Sequence, residues 1–370
     1  MCSRVDNTVI LAAAGSRKTE FIVESALAVT SGRVLIATFT NQNQRQIVNR
    51  IEQKAGMLPP QISVCGWFTF LIQQCSKPYQ RAMTGEPLVI NGLNFKGRRN
   101  RYTPKGSIDF FLDRNHAMYR DGVSDFVVGL NKKAGGAVVR RLERIYTHIF
   151  IDEVQDLVGY DLEVLDLLIA SKIKLLVVGD LRQHTFSANL GSRHKKYQGP
   201  GLAEWFQKRS RVCTIEQRDY SYRSNQAICD FADAIYPDFP LTTSIDVPQT
   251  EHDGVFQIET RSVPNYIAKF GKVTALRHDK NSPTAGLRAM NFGVAKGSTF
   301  DRVLIFPTGP MLKYLEDRDP TPLKSPEDLY VAVTRARFSV AFVVPRILPS
   351  AQLSLFSNQR QFPEIIPFIV

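Results

Sequence analysis

Four short apolar runs punctuate the first half of the chain: Thr8 to Leu11, Val34 to Ala37, His148 to Ile151 and Leu175 to Val178. Each is apolar or β-branched almost throughout and ends in a polar or glycine-containing turn, the pattern of a strand buried on both faces of a parallel sheet. Between them lie stretches with helical periodicity, Glu20 to Thr30, Asn43 to Lys54 and Tyr160 to Ala170. This alternation predicts an open parallel α/β sheet whose ligands bind beyond the carboxyl ends of the strands. After Arg218 a second α/β pattern starts, with strands expected at Val255 to Ile258, Arg302 to Phe306 and Val340 to Val344.

Two stretches interrupt the alternation. Residues 76–136 carry FKGRRNRYTPKG (Phe95 to Gly106) and LNKKAGG (Leu130 to Gly136), which reads as an inserted, basic, partly irregular subdomain. Ser192 to Arg211 is again basic and polar. The expected organisation is a first lobe at 1–75 and 137–215, the insertion at 76–136, and a second lobe at 216–370. A length of 370 residues fits two to three domains at about 150 residues each.

Charge sharpens this picture. Lys and Arg outnumber Asp and Glu by 47 to 35, a net +12, which favours a polyanionic partner over a basic protein that binds nothing in particular. Arg98, Arg99 and Arg101 form the densest run and are candidate nucleic-acid contacts; the alternative is a solvated loop. The cysteines, Cys2, Cys65, Cys75, Cys213 and Cys229, are odd in number and lack a C-x-x-C pair, which argues against a disulfide framework or a zinc site and for a reducing cytoplasm. No window reaches about 18 uninterrupted apolar residues, so no membrane partner is expected.

Two strings carry chemistry. AAAGSRKTE (Ala12 to Glu20) follows the first strand and opens the first helix, where backbone N–H groups of Ala14, Gly15, Ser16 and Arg17 would cradle phosphates. Lys18 would reach the β and γ phosphates, and the Thr19 hydroxyl would ligate magnesium. Ala12 and Arg17 stand where the strict phosphate-loop pattern has glycine, so an ordinary strand-to-helix turn is the competing reading. IFIDEVQD (Ile149 to Asp156) adds Asp152 to hold magnesium and Glu153 to polarise the attacking water, against the alternative of an acidic helix cap. Both motifs, in this order and each closing a strand, favour a nucleotide hydrolase that uses Mg2+.

With these two strings the chain resembles the UvrD/Rep-like group of superfamily 1 DNA helicases. TFTNQNQRQIVNRI (Thr38 to Ile51) is similar to that group's motif Ia, VCGWFTFL (Val64 to Leu71) lies where motif Ib belongs, and VGDLRQHTFS (Val178 to Ser187) resembles motif III. DYSYRS (Asp219 to Ser224), AKGSTFDRV (Ala295 to Val303) and LYVAVTRAR (Leu329 to Arg337) resemble motifs IV, V and VI. The resemblance implies two RecA-like lobes, an ATP-driven translocase or helicase on single-stranded or partly duplex DNA, and three-prime to five-prime movement. It implies Gln183 as a γ-phosphate sensor, Arg223 and Arg335 as arginine fingers, and Tyr222 on the adenine face unless it is a core aromatic. Thr38, Phe39, Thr40, Asn41, Trp67, Phe68 and Phe186 would line the DNA; Trp67 and Phe68 read equally as core.

Departures from the group's pattern are part of the reading. Only residues 1–11 precede the phosphate loop, too few for the adenine-reading glutamine motif; Gly293 and Thr299 replace a His and a Glu in motif V, and Ala188 replaces a stacking aromatic in motif III. The span from Ser224 to Ala295 leaves no room for a large second insertion. Such compact proteins resemble helicase components of bacterial anti-phage systems, including the Gabija type, which act with a partner nuclease. The alternative to a motor is a nucleotide-dependent DNA-binding switch that regulates a partner without unwinding.

Overall fold

The computed structural model describes residues 7–85, 89–100, 102–185, 193–349 and 353–356. The chain divides into two compact units, Met1–Tyr220 and Ser221–Val370. Each holds one six-stranded sheet, so the expected pair of parallel α/β, RecA-like lobes is what the chain forms.

In the first unit β1 (Asn7–Ala12), α1 (Lys18–Leu27), β2 (Val34–Thr38), α2 (Asn41–Ala55) and β3 (Ile62–Gly66) follow one another. Short helices α3 (Trp67–Phe70) and α4 (Arg81–Thr84) then lead to β4 (Gly92–Asn94) and β5 (Ala117–Tyr119), a separate two-stranded parallel ladder. Helices α5 (Val123–Lys133) and α6 (Ala137–Ile145) return the chain to β6 (His148–Ile151), α7 (Tyr160–Ile169), β7 (Lys174–Gly179), α8 (Leu202–Gln207) and β8 (Cys213–Arg218). The sheet order is β3-β2-β6-β7-β1-β8. Local chemistry sets the helix ends: Thr40 caps α2 by accepting from Asn43 N at 3.1 Å, and Gly56 stops it at φ +80°. Ile47 and Ile51 of α2 and Ile22, Val23 and Ala26 of α1 bury against Ile10, Ile36 and Val178 of the sheet.

The expected change-over at 215/216 falls inside β8, all of which pairs with β1 from Asn7↔Cys213 to Ala12↔Arg218. An edge strand with alternating polar residues, CTIEQR, gives no continuous apolar run and so is hidden from the pattern. The inserted segment is also less irregular than its composition suggests: Leu130 to Lys133 closes α5, and Phe126, Val127 and Leu130 of that helix are buried.

In the second unit β9 (Tyr220–Ser221), which begins at the boundary, leads to α9 (Gln226–Asp233), β10 (Thr243–Ser244), β11 (Gly254–Glu259), α10 (Val263–Phe270), β12 (Thr274–Arg277) and β13 (Ala289–Asn291). There follow α11 (Phe292–Ala295), β14 (Phe300–Phe306), α12 (Gly309–Asp317), α13 (Pro326–Val333), β15 (Ala336–Val344) and β16 (Ser354–Leu355). The order is β13-β12-β14-β15-β11-β16, over a core that includes Ile258, Tyr266, Leu304 and Ala341. Among the described residues, no helix is long and apolar enough to cross a membrane.

Candidate nucleotide and nucleic-acid site

Register brings the chemistry together. Leu11 pairs with Gly179, Ala37 with Ile151, and Ile151 with Val177, so β1, β2, β6 and β7 all end at one edge. The phosphate loop, Thr38, Asp152 and Asp180 leave the sheet there, the position at which open parallel sheets bind ligands.

The loop turns through two left-handed residues, Gly15 at φ +81° and Arg17 at φ +60°. Glycine takes this conformation freely, whereas Arg17 takes it at a cost of about 1 kcal/mol or more. The Arg17 side chain is exposed, so its Cβ and charge do not fill the loop. Lys18 Nζ donates to Ala13 O at 2.8 Å and Ala12 O at 3.2 Å, resting on the loop it follows. Thr19 Oγ1 donates to Asp152 Oδ2 at 3.3 Å, which joins the two sequence motifs in space. Ser16 is buried and its Oγ has no hydrogen-bond partner. A buried hydroxyl left unsatisfied costs free energy, so this atom fits a site that accepts phosphate oxygens.

Asp152 is buried, with its backbone N–H fixed to Ala37 O at 2.9 Å. Burial, reinforced by the charge of Glu153 and opposed by Lys18, pushes its carboxyl up to about 7. A cation between Thr19 and Asp152 would reverse that push. Glu153 is half-buried at φ +59°, a conformation that non-glycine residues hold only where the surroundings impose it. Its carboxylate accepts from Gln155 Nε2, while Gln155 Oε1 accepts from Asp180 N at 3.2 Å. Asp180 Oδ2 in turn accepts from Gln183 Nε2 at 2.7 Å. Burial alone would raise the Asp180 carboxyl, but Arg182, Lys18 and the Gln183 hydrogen bond together hold it below its ordinary value.

Gln155, Asp180 and Arg182 are therefore members of the site that sequence reasoning missed. Gln155 is completely buried and ties the end of β6 to the end of β7. A Cβ at Gly179 would lie 2.4 Å from Gln155 Oε1 and 3.1 Å from Val154 N, so this contact needs a glycine. The glycine-aspartate pair ending β7 was the available signal.

In the second unit, motifs IV, V and VI converge. Arg223 Nη1 donates to Thr334 O at 3.1 Å, and Ser224 Oγ to Ala336 O at 2.7 Å. Arg335 is 1% exposed; its Nε donates to Val331 O at 3.0 Å and its Nη1 to Ser298 O at 3.4 Å. Tyr222 is half-buried beside them in sequence.

The DNA candidates separate into different classes. Trp67 is fully buried, and its indole N–H donates to Asp161 Oδ1 at 2.8 Å, so it is a core residue with no face for a base. Thr38 is likewise buried, its Oγ1 without a hydrogen-bond partner. Phe39, half-buried, packs on Trp67 at 6.4 Å, and Phe68 is half-buried. Thr40 and Asn41 are exposed at the start of α2. Phe186 and Arg101 lie outside the described residues. Arg98 is exposed, but Arg99 is not a free cation: it pairs with Asp125 at 2.8 Å and Asp121 at 3.3 Å and lies 4.5 Å from the Phe110 ring.

Arg99→Ala is accordingly expected to lower stability by about 1–3 kcal/mol, since two carboxylates lose a charged donor. Urea unfolding would read that shift. The salt dependence of nucleic-acid affinity should stay near that of the native chain, and a shallower slope would return Arg99 to the phosphate contacts.

Residues 105–194 match the family model of the UvrD/REP helicase N-terminal domain. Over this stretch the chain is similar to the N-terminal domain of UvrD/REP helicases. It contains Asp152, Glu153, Gln155, Asp180 and Gln183, so the UvrD/Rep-like stretch and the acidic half of the site coincide. Among solved structures, the chain is similar to Arterivirus nonstructural protein 10 (helicase), with 17% identity, 91% of this chain and 60% of that chain covered, and a TM-score of 0.45. A complex of the same viral helicase with DNA gives 17% identity, 92% and 60% coverage, and a TM-score of 0.47. The chain thus spans 60% of the length of those structures. No curated protein matches.

Proposed function

We propose that this chain is an ATP-hydrolysing motor of the helicase type that acts on single-stranded DNA. The observation that carries the reading is the meeting, at one sheet edge, of Lys18, the Thr19–Asp152 pair and the Glu153–Gln155–Asp180–Gln183 chain. Such a set suits a site where a phosphate chain, a divalent cation and an attacking water come together.

In this reading the loop N–H groups, the Ser16 hydroxyl and Lys18 hold the phosphates. Lys18 Nζ already lies at the loop, on the carbonyl oxygens of Ala12 and Ala13. Thr19 and Asp152 would hold magnesium, which would supply charge neutralisation at the phosphates. Glu153 orients the attacking water and accepts its proton, with its carboxylate steadied by Gln155. Gln183 reports the γ phosphate to the end of β7. Tyr222 as the adenine contact, and Arg223 and Arg335 as transition-state cations, rest on the family resemblance. Phe39, Thr40, Asn41 and Phe68 follow the ends of β2 and β3 and would line the strand, with Arg98 among the phosphate contacts. Three-prime to five-prime movement, a partner nuclease and an anti-phage role likewise rest on resemblance.

The test is ATP hydrolysis with and without oligothymidylate. The motor reading expects the strand to raise the rate. A rate indifferent to the strand, with the strand still bound more tightly in the presence of nucleotide, is the behaviour of a nucleotide-dependent switch and would replace the motor.

A further inference from the structure

Phe95 is a phenylalanine with 51% of its surface open to water, on a segment anchored by hydrogen bonds and ion pairs on either side of it. It follows β4, whose register with β5 sets Asn94 opposite Tyr119; Phe95 and Arg120 therefore leave neighbouring strand ends side by side. Arg120 lies over the Phe95 ring at 4.8 Å, and Phe68, from the short helix after β3, meets it edge-on at 6.5 Å and 88°. The turn that carries Phe95 is pinned at both ends. Asn94 donates to Asp113 at 2.7 Å and accepts from Gly97 N at 2.7 Å, while Arg99 is locked to Asp121 and Asp125. Lys96 and Arg98, between those anchors, are exposed.

An exposed aromatic ring costs free energy in water, and a pinned turn cannot fold it away. A ring with one cation stacked on it and two more beside it matches a ligand that combines flat apolar surfaces with negative charge. Residues 89–125 hold seven Lys or Arg against four Asp, two of which pair with Arg99, so the stretch keeps a positive excess that favours an anionic ligand, and a nucleic-acid strand supplies flat apolar surface and negative charge in every unit.

We propose that Phe95, backed by Arg120 and Phe68, is a base-stacking platform through which the inserted segment grips single-stranded DNA. This rests on the single-strand reading under the proposed function and adds to it a surface outside the motifs. It also makes Phe68 part of a surface that runs from the end of β3 onto the β4–β5 ladder. Because Arg120 and Phe68 already support the ring and Asn94 anchors the turn, a base stacking there would have less of the loop to order, which favours affinity.

Equilibrium binding of fluorescent oligothymidylate, and of the same strand carrying abasic sites, tests the platform. Phe95→Ala should weaken oligothymidylate binding about 5- to 100-fold with the slope of log affinity against log salt unchanged, because stacking releases no counterions. Phe95→Trp should bind as the native chain does. The native chain should lose affinity for the abasic strand, and Phe95→Ala should lose less. Lys96→Ala with Arg98→Ala should instead reduce the salt slope by up to about 0.7 for each phosphate that the two side chains neutralise. Native-like oligothymidylate binding by Phe95→Ala would overturn the platform, as would equal weakening of that variant on the normal and abasic strands; either leaves the single-strand reading standing. Failure of the native chain to bind oligothymidylate even at low salt would remove that reading, and the platform with it.

Discussion

Glu153→Gln is expected to bind nucleotide as tightly as the native chain and to turn it over about a hundredfold more slowly or worse. The amide is nearly isosteric and can still accept from Gln155 Nε2 through its carbonyl oxygen, so the hydrogen bond that steadies position 153 has a substitute. What it cannot do is take a proton from water. The left-handed backbone at Glu153 supports this assignment, because strain held at a non-glycine residue is characteristic of positions where the direction of the side chain matters. Single-turnover hydrolysis, measured alongside the affinity for a fluorescent nucleotide, separates the two effects. Full turnover in the variant would take Glu153 out of the chemistry; loss of nucleotide affinity would make it a ligand of the ground state.

Trp67→Ala is expected to destabilise the first unit by about 3–5 kcal/mol, the range for deleting a large buried aromatic. A milder exchange is more informative. Trp67→Phe retains a ring but removes the donor to Asp161, a buried carboxyl that also accepts from Ser124 Oγ and from Val158 N at 3.3 Å. Its cost should be about 1–3 kcal/mol, and it should depend on pH. Burial raises the Asp161 carboxyl to about 6 against the combined pull of those donors. A folded-state value above the unfolded one means that the folded chain binds the proton more tightly, so stability declines as pH rises from the unfolded value through about 6. Losing one donor to the ionised form extends that decline, so the penalty of Trp67→Phe should be larger above about pH 6 than below it. Urea midpoints at several pH values read this directly. A stable Trp67→Phe protein with impaired DNA binding would instead make Trp67 a nucleic-acid contact.

What the sequence revealed and concealed follows from how far each feature reaches. The central strands β1, β2, β6, β7, β11, β14 and β15 are covered on both faces and announce themselves as apolar runs. The outlying β3 and β8, with Ser63, Glu216 and Gln217 facing outward, read as ordinary loop or polar chain. Lys18, Thr19, Asp152 and Glu153 were legible because each motif is a short string whose order along the chain is itself diagnostic. Gln155 was not singled out, since its meaning depends on Asp180 arriving 25 residues later. Arg99 read as one of a run of cations because the carboxylates that claim it, Asp121 and Asp125, lie 22 and 26 residues away. For Trp67, an aromatic after a strand fits a core and a base equally until Asp161 is seen behind it.

The strand order of the first sheet has a consequence for biogenesis. β1 is made before its sheet neighbours yet sits between β7 and β8, and the N–H of Ala13, the residue after it, donates to the carbonyl of Arg218. A nascent chain therefore carries the apolar strand NTVILA with both edges open until residue 179 has emerged from the ribosome, and with one edge open until residue 218. During that interval the strand is a template for pairing with the wrong partner, the hazard of unpaired apolar edges in long-range parallel sheets. The phosphate loop, fixed at one end by that last strand, can reach its final form only when almost the whole first unit has been translated, so nucleotide capture has to wait for the same event.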